Sequence, residues 1–431
     1  MKKYLFLSFI PMILACNHQG EKELTYTSPL DYETYLSDST DSMMENLKEE
    51  CRFWESRLEQ QPLGFTYLQK LGTAQLGLFD KTGDVEYLHQ AESAFEQVSG
   101  MVGGRRKTAG MLTLSSLKIK KHEFREAGNY AMKAMNLTDQ KFGPLMMQFD
   151  AEMEMGNYEL AGNILKRNRR MDSFDYLVRL SKYKDYEGDL DSAIFYMENA
   201  RQLVRRENSQ RAIWVNANLG DMYGHANRIS DSYNQYLKVL EMDPTYDYAL
   251  KGIAWIAWSA DKNAEEASRI VKRIKERTAM PDLYLLLAEM AEGSGRLSEA
   301  SAYISSFLQE AQKEHYGAMY NKYLISIHSS QQNFEEAIRL AKQEIEARPT
   351  PAAYDWLAWT FFQKGAREEA LEIYKQYVEG KSFEPELIYH MGVVYHELGI
   401  PQSHKYLEEA LEASFELGPV VAKDLKKYLK S

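Results

Sequence analysis

Residues able to do chemistry are present in this 431-residue chain, but not at working spacings. His122-Glu123-Phe124-Arg125-Glu126 starts like the zinc-protease helix HExxH and has Glu126 where the second histidine must stand. From Gly100 to Thr108 the run GMVGGRRKT offers glycines and a Lys-Thr pair, as a phosphate-cradling loop does. Arg106 precedes Lys107 where that loop needs glycine, and no strand pattern leads into it. His390 and His396 are six apart, on opposite faces of a helix, and so unsuited to one metal ion. The expectation is no catalytic residue, no metal site and no cofactor, and a chain that is not an enzyme.

Charge narrows the partners. The formal net charge is −11, and removal of Lys2 and Lys3 with an N-terminal signal makes it −13. An acidic chain lacks the basic field that nucleic acid requires. Lys166 to Arg170 (KRNRR) is a basic run ending a helical pattern. It reads as favourable charge at a helix C-terminus, or as a dock for an acidic partner segment.

The first residues read as an address. Lys2 and Lys3 precede the apolar stretch Tyr4 to Leu14, too short to span a bilayer, and small Ala15 stands before Cys16. The ending Ile13-Leu14-Ala15-Cys16 resembles the lipobox of bacterial lipoproteins. The resemblance implies a signal peptide over 1–15, cleavage before Cys16 and lipid on that cysteine. It also implies the outer membrane, because Asn17 stands where an Asp signals inner-membrane retention. Residues 16–40 lack periodicity and read as a flexible tether; 41–60 read as a leading helix. Cys51, inside that helix pattern, reads as a small buried hydrophobe.

The remaining elements repeat. Small residues followed by an apolar one four later recur at Ala127, Ala161, Ala193, Ser232, Ala267, Ala300, Ala337 and Ala370. The steps average close to 34.7 residues. Turn residues at Gly156-Asn157, Gly188-Asp189, Asn227, Gly295, Asn333, Gly365 and Gly399 divide segments with helical apolar spacing, such as Leu283, Leu286, Leu287 and Met290. Pro62, Pro144, Pro244, Pro281, Pro349, Pro351 and Pro385 fall at or near unit boundaries. Each unit is therefore predicted to be helix–turn–helix.

These units resemble the tetratricopeptide repeat, W-x2-L-G-x2-Y … A-x3-F … P. Asn216, Leu219-Gly220, Tyr223, Ser232, Tyr236 and Pro244 follow the pattern, as do Tyr354, Leu357-Ala358, Phe361, Ala370 and Tyr374. Ile388, Met391-Gly392 and Tyr395 repeat its first half, and Leu68, Leu71-Gly72, Ala91 and Phe95 give an opening unit with about seven extra residues. Units two to four lack the Leu-Gly pair. The resemblance implies an all-α, right-handed α-solenoid of about ten units over 61–413, closed by a helix over 414–431. Units should touch only their neighbours, giving an elongated body with no single core.

In this repeat family the first helices line a concave groove that holds a protein partner or an extended peptide. Trp255 and Trp258, and Trp359 and Phe362, repeat one spacing in two units, and Tyr323, Trp356, Tyr389 and His390 lie nearby in the pattern. They are the candidate partner-binding residues, with inter-unit packing as the competing role. Lys322 has Ser326 one turn on where the family's carboxylate clamp has Asn, so that clamp is not expected. The expected function is an outer-membrane-anchored adaptor or scaffold. The alternatives are a structural subunit bound along the convex face of an envelope assembly and, third, an envelope enzyme of unknown chemistry.

Overall fold

The structure is a computed structural model that describes residues 25–37 and 42–430. Cys16 and the signal expected over 1–15 lie outside the described residues. Among the described residues there is no strand, and no helix is long and apolar enough to cross a membrane.

The architecture is the expected all-α solenoid of about ten helix–turn–helix units. A short helix, α1 (Pro29–Leu36), and a leading helix, α2 (Ser42–Gln60), come first. Units one to three are α3 (Phe65–Thr82) with α4 (Val85–Met101), α5 (Gly104–Lys120) with α6 (Phe124–Asn136), and α7 (Phe142–Glu154) with α8 (Tyr158–Arg167). Units four to six are α9 (Phe174–Tyr186) with α10 (Leu190–Gln202), α11 (Gln210–His225) with α12 (Ile229–Met242), and α13 (Asp247–Ser259) with α14 (Ala264–Arg277). Units seven and eight are α15 (Leu283–Gly293) with α16 (Leu297–Ala311) and α17 (Asn321–Ser330) with α18 (Phe334–Ala347). Units nine and ten are α19 (Pro351–Lys364) with α20 (Arg367–Ile373), which continues as a widened turn to Val378, and α21 (Pro385–Glu397) with α22 (Ser403–Glu412). The last helix is α23 (Ser414–Tyr428).

The repeating small residues are where the two helices of a unit cross. Ala127, Ala161, Ala193, Ala267, Ala337 and Ala370 are fully buried, and Ser232 and Ala300 nearly so. The hairpin turns are left-handed at Gly156, Gly188, Asn227, Gly295, Gly365 and Gly399; in unit eight Gln332, one residue before Asn333, takes that conformation. At Gly365, with φ 92°, a Cβ would strain the backbone. The core is divided into separate clusters along the coil. Cys51 packs on Leu71, Ala74 and Leu78, and burial pushes its thiol up to about 11.

Three expectations are corrected. Units do not touch only their neighbours, because the solenoid coils onto itself. The Ala279 amide donates to the Thr82 carbonyl at 2.7 Å, and Lys81 pairs with Asp243 at 2.8 Å. Arg125 donates to the Glu346 carbonyl at 3.2 Å, and the Arg348 guanidinium lies over Phe124. The side-chain bridges between turns join residues 162 to 226 apart, roughly five to six and a half repeat lengths.

The tether expected over 16–40 is, over 25–37, a docked segment. Tyr32 and Leu36 are buried, because α12 and α14 offer an apolar seat and matching polar groups: Tyr32 donates to Glu266 at 2.8 Å, and Glu33 meets Arg269. The closing helix does not simply cap the stack. Gly418, with φ 79° and ψ 166°, ahead of Pro419, breaks α23, and the element folds back against α11, α13, α15 and α21.

Candidate protein-binding groove

The first helices face the inside of the coil, and their polar side chains meet those of the next unit or, for Lys322, of the next but one. Along this wall Arg179 donates to Asp150 at 3.0 Å, Lys182 pairs with Glu154 at 2.6 Å, and Tyr248 donates to Asp221 at 2.7 Å. Lys251 pairs with Asp282 at 3.1 Å, and Lys322 with Glu386 at 2.6 Å. Burial works against the charge on Lys251 and Lys322; their carboxylate partners outweigh it and hold both ammonium groups above the ordinary range. Two cavities of about 410 Å³ line this interior. One is walled by Glu154, Lys182, Asp185, His225 and Glu384, the other by Lys251, Asp282, Leu286, Lys322 and Glu386, and Glu416 borders both. Burial pushes the carboxyl groups of Asp185, Glu384 and Glu416 up.

Part of the groove is occupied by the chain's own C-terminal segment. The main-chain carbonyl of Phe415 accepts from the Trp255 indole at 3.0 Å and from the Ser259 hydroxyl at 2.6 Å. The Phe415 ring lines a cavity of about 230 Å³ with Asp221, Tyr236, Tyr248 and Gly252. Tyr389 donates to Asp424 of α23 at 2.8 Å. The inner wall thus holds a polypeptide by side chain to main chain bonds at one end of the segment and by side chain to side chain bonds at the other.

The aromatic residues singled out by spacing divide into groups. Trp258, 4% exposed, and Trp356, 8% exposed, are buried packing residues and not free anchors. The reason for Trp258 is Gly293 of the next unit, which leaves a slot that the indole fills while Nε1 donates to Glu289 at 3.1 Å. Trp356 belongs to the core of units eight and nine, under the Arg348 guanidinium. Trp255 and Tyr389 are half-buried and engaged by α23.

Trp359, Phe362 and His390 come together. The Trp359 and His390 rings stack with centroids 4.1 Å apart, and Phe362 stacks on the same indole at 5.2 Å. His390 Nδ1 lies 2.9 Å from the fully buried Asp355 carboxylate, which also accepts from Tyr374 at 2.9 Å. Burial pulls the imidazole down; Asp355, with Glu386 behind it, outweighs burial and holds it above its ordinary value. Tyr323 is 39% exposed to the groove and packs edge-on against Phe307.

Sequence reasoning missed the polar ladder and the inward fold of α23. One signal was available: Lys251 and Lys322 stand 71 residues apart, close to two repeat lengths. Lys322, considered only as half of a clamp, is committed to Glu386. Among the described residues no cluster of three His, Cys, Asp or Glu side chains could hold a metal ion.

Residues 325–385, spanning most of units eight and nine, match the model of the tetratricopeptide repeat. With the ten helix–turn–helix units, that likeness defines the class: an α-solenoid of tetratricopeptide-like repeats. No curated protein matches the chain. Among solved structures, yeast Tom70 matches at 11% identity with a TM-score of 0.35, over 84% of this chain and 95% of that one. The APC/C hetero-tetramer Cut9-Hcn1 matches at 13% identity with a TM-score of 0.32, over 94% and 99%. At those scores the superpositions carry no weight for what this chain binds.

Proposed function

We propose that this chain is a lipoprotein of the bacterial outer membrane, anchored through Cys16, that works as a protein-binding adaptor or scaffold. The observation that carries the binding role is Phe415 in the groove. A wall that already holds one backbone carbonyl between Trp255 and Ser259 has the chemistry to hold a partner segment. Tyr323, exposed beside the Lys322–Glu386 pair, is an aromatic contact left open to such a partner, as are Trp214 and Tyr248 on other first helices. Anchoring rests on the Ile13-Leu14-Ala15-Cys16 ending and on Asn17 after it.

A second reading has its own observation. Met132, Leu160 and Phe195 are large apolar residues exposed on second helices, which form the outer face, so a structural partner along that face has apolar contacts to use. Photo-crosslinkers at Tyr323 and at Phe195, in the intact envelope, separate the two. Crosslinking of a partner at Tyr323 supports the groove; crosslinking at Phe195 alone supports the outer face. Fatty-acid labelling that persists in Cys16→Ala refutes the anchor.

A further inference from the structure

We propose that the docked N-terminal segment sets the solenoid end-on to the membrane, with the hairpin turns of units six to ten toward the lipid headgroups. The proposal rests on the reading of Cys16 as the lipid anchor.

The coil has two unlike ends. The hairpin turns of units one, three and four are covered by the next turn of the coil. A Cβ at Gly83, Gly156 or Gly188 would meet Met280, Thr350 or Phe383. The equivalent turns of units seven, nine and ten are open, since a Cβ at Gly295, Gly365 or Gly399 meets nothing within 4 Å. Lys262 and Gln332, at the turns of units six and eight, are exposed as well. These turns form the free end of the coil.

The N-terminal segment leaves at that end. Its path follows α14 residue by residue. Arg277, at the far end of α14, donates to the Tyr35 carbonyl; Arg269 pairs with Glu33; Glu266, in its first turn, accepts from Tyr32. The Asp261 carboxylate, beside Lys262 in the hairpin turn, accepts from the amides of Tyr26 and Thr27 at 2.8 and 3.0 Å and from the Thr27 hydroxyl at 2.6 Å. Tyr233 OH accepts from the Ser28 amide at 3.1 Å. Thr25, the first described residue, therefore lies among the open turns.

Reach does the rest. Cys16 is nine residues ahead of Thr25, at most about 30 Å of fully extended chain. The opposite end, where unit two begins at Gly104, stands two stacked hairpins away, about 40 Å at 1.5 Å per residue. An anchor at Cys16 is thus too short for the coil to stand on its far end, and it favours the open turns toward the bilayer. The free end carries Lys262, Arg296 and Arg367 beside Asp261, Glu299 and Glu368. Mixed charge gives no net pull of its own, so docking of the segment is the orienting element.

The test uses the full chain, matured in a bacterial envelope and reconstituted in phosphatidylethanolamine–phosphatidylglycerol vesicles with nitroxide headgroups. A fluorophore is placed at Gln332→Cys or at Arg105→Cys, each in a Cys51→Ala background. The expected result is strong headgroup quenching at 332, several-fold weaker quenching at 105, and loss of the difference when Asp261→Ala and Tyr32→Ala undock the segment. Equal or reversed quenching in protein that floats with the vesicles overturns the orientation while leaving the anchor intact. A difference that survives undocking overturns the role of the segment. Protein that does not float overturns the anchor reading and the orientation with it.

Discussion

The Trp255 indole donates to the main-chain carbonyl of Phe415 at 3.0 Å, joining a first helix in the middle of the coil to a segment 160 residues later. Ser259 donates to the same oxygen. Removing both donors, as Trp255→Phe with Ser259→Ala, leaves that carbonyl unpaired at a cost of about 1–3 kcal/mol. Amide exchange over 414–428 should quicken roughly 5- to 150-fold at that cost, with α5 to α8 unchanged. Wild-type protection of 414–428 in the double variant refutes the role of these two bonds.

Glu289 lies under the same segment, within reach of Gly418. Burial pushes its carboxyl up to about 7 from 4.5, against the hydrogen bond from Trp258 and with help from Glu292. The folded chain therefore holds more protons than the unfolded one between pH 4.5 and 7. The contribution of Glu289 is whole below pH 4.5 and is lost as pH rises through 7, an upper bound of about 3 kcal/mol. Urea unfolding from pH 4 to 8 should show the native chain losing stability relative to Glu289→Gln across that window. Parallel profiles contradict the assignment.

Tyr236 wedges between Gly220 and Gly252 and donates to Asp221 at 2.5 Å. A Cβ at position 252 would sit 2.3 Å from the ring carbon Cζ. Gly252→Ala should destabilise by about 1–3 kcal/mol through overpacking. Gly100→Ala, at a helical position with nothing within 4 Å, should be neutral or stabilise by about 0.5–1 kcal/mol. Melting temperatures that move alike in both variants argue against the wedge.

Trp359 and Tyr323 separate packing from binding. The Trp359 indole is stacked between His390 and Phe362, so Trp359→Ala should cost about 2–4 kcal/mol of stability. Tyr323→Ala should cost less than about 1 kcal/mol of stability, yet weaken a groove-bound partner by about 2 kcal/mol if it is an anchor. Calorimetry of folding and titration with the crosslinked partner read both. A Tyr323 variant that binds normally removes the groove reading at that position.

The repeat was legible because it is local. Small residues at hairpin crossings and left-handed turn residues each answer to a constraint within one unit, so Ala127 through Ala370 and Gly156 through Gly399 fell where expected, save that Gln332 takes the left-handed turn beside Asn333. The groove was less so. Aromatic spacing placed Trp255, Trp258, Trp356 and Trp359 on first helices but could not tell which would be covered. That depends on Gly293 opening a slot for Trp258 and on Phe415 arriving from the far end of the chain. The docking of 25–37 was missed because Tyr32 and Leu36 make too short an apolar pattern to show where they would dock. Their partners on α12 and α14 lie some 200 residues on.

A simple solenoid frays from its ends, each repeat melting almost independently of those beyond its neighbours. Here both ends of the described chain are pinned to the middle: α1 to units five and six, and α23 to units five to seven and unit ten. Terminal repeats cannot peel away without breaking contacts in the centre, so unfolding should be far more cooperative than the repeat count suggests. The cost falls on kinetics. Contacts closing loops of 160 to 242 residues form only after most hairpins exist, which raises contact order and slows the final folding step relative to an open array.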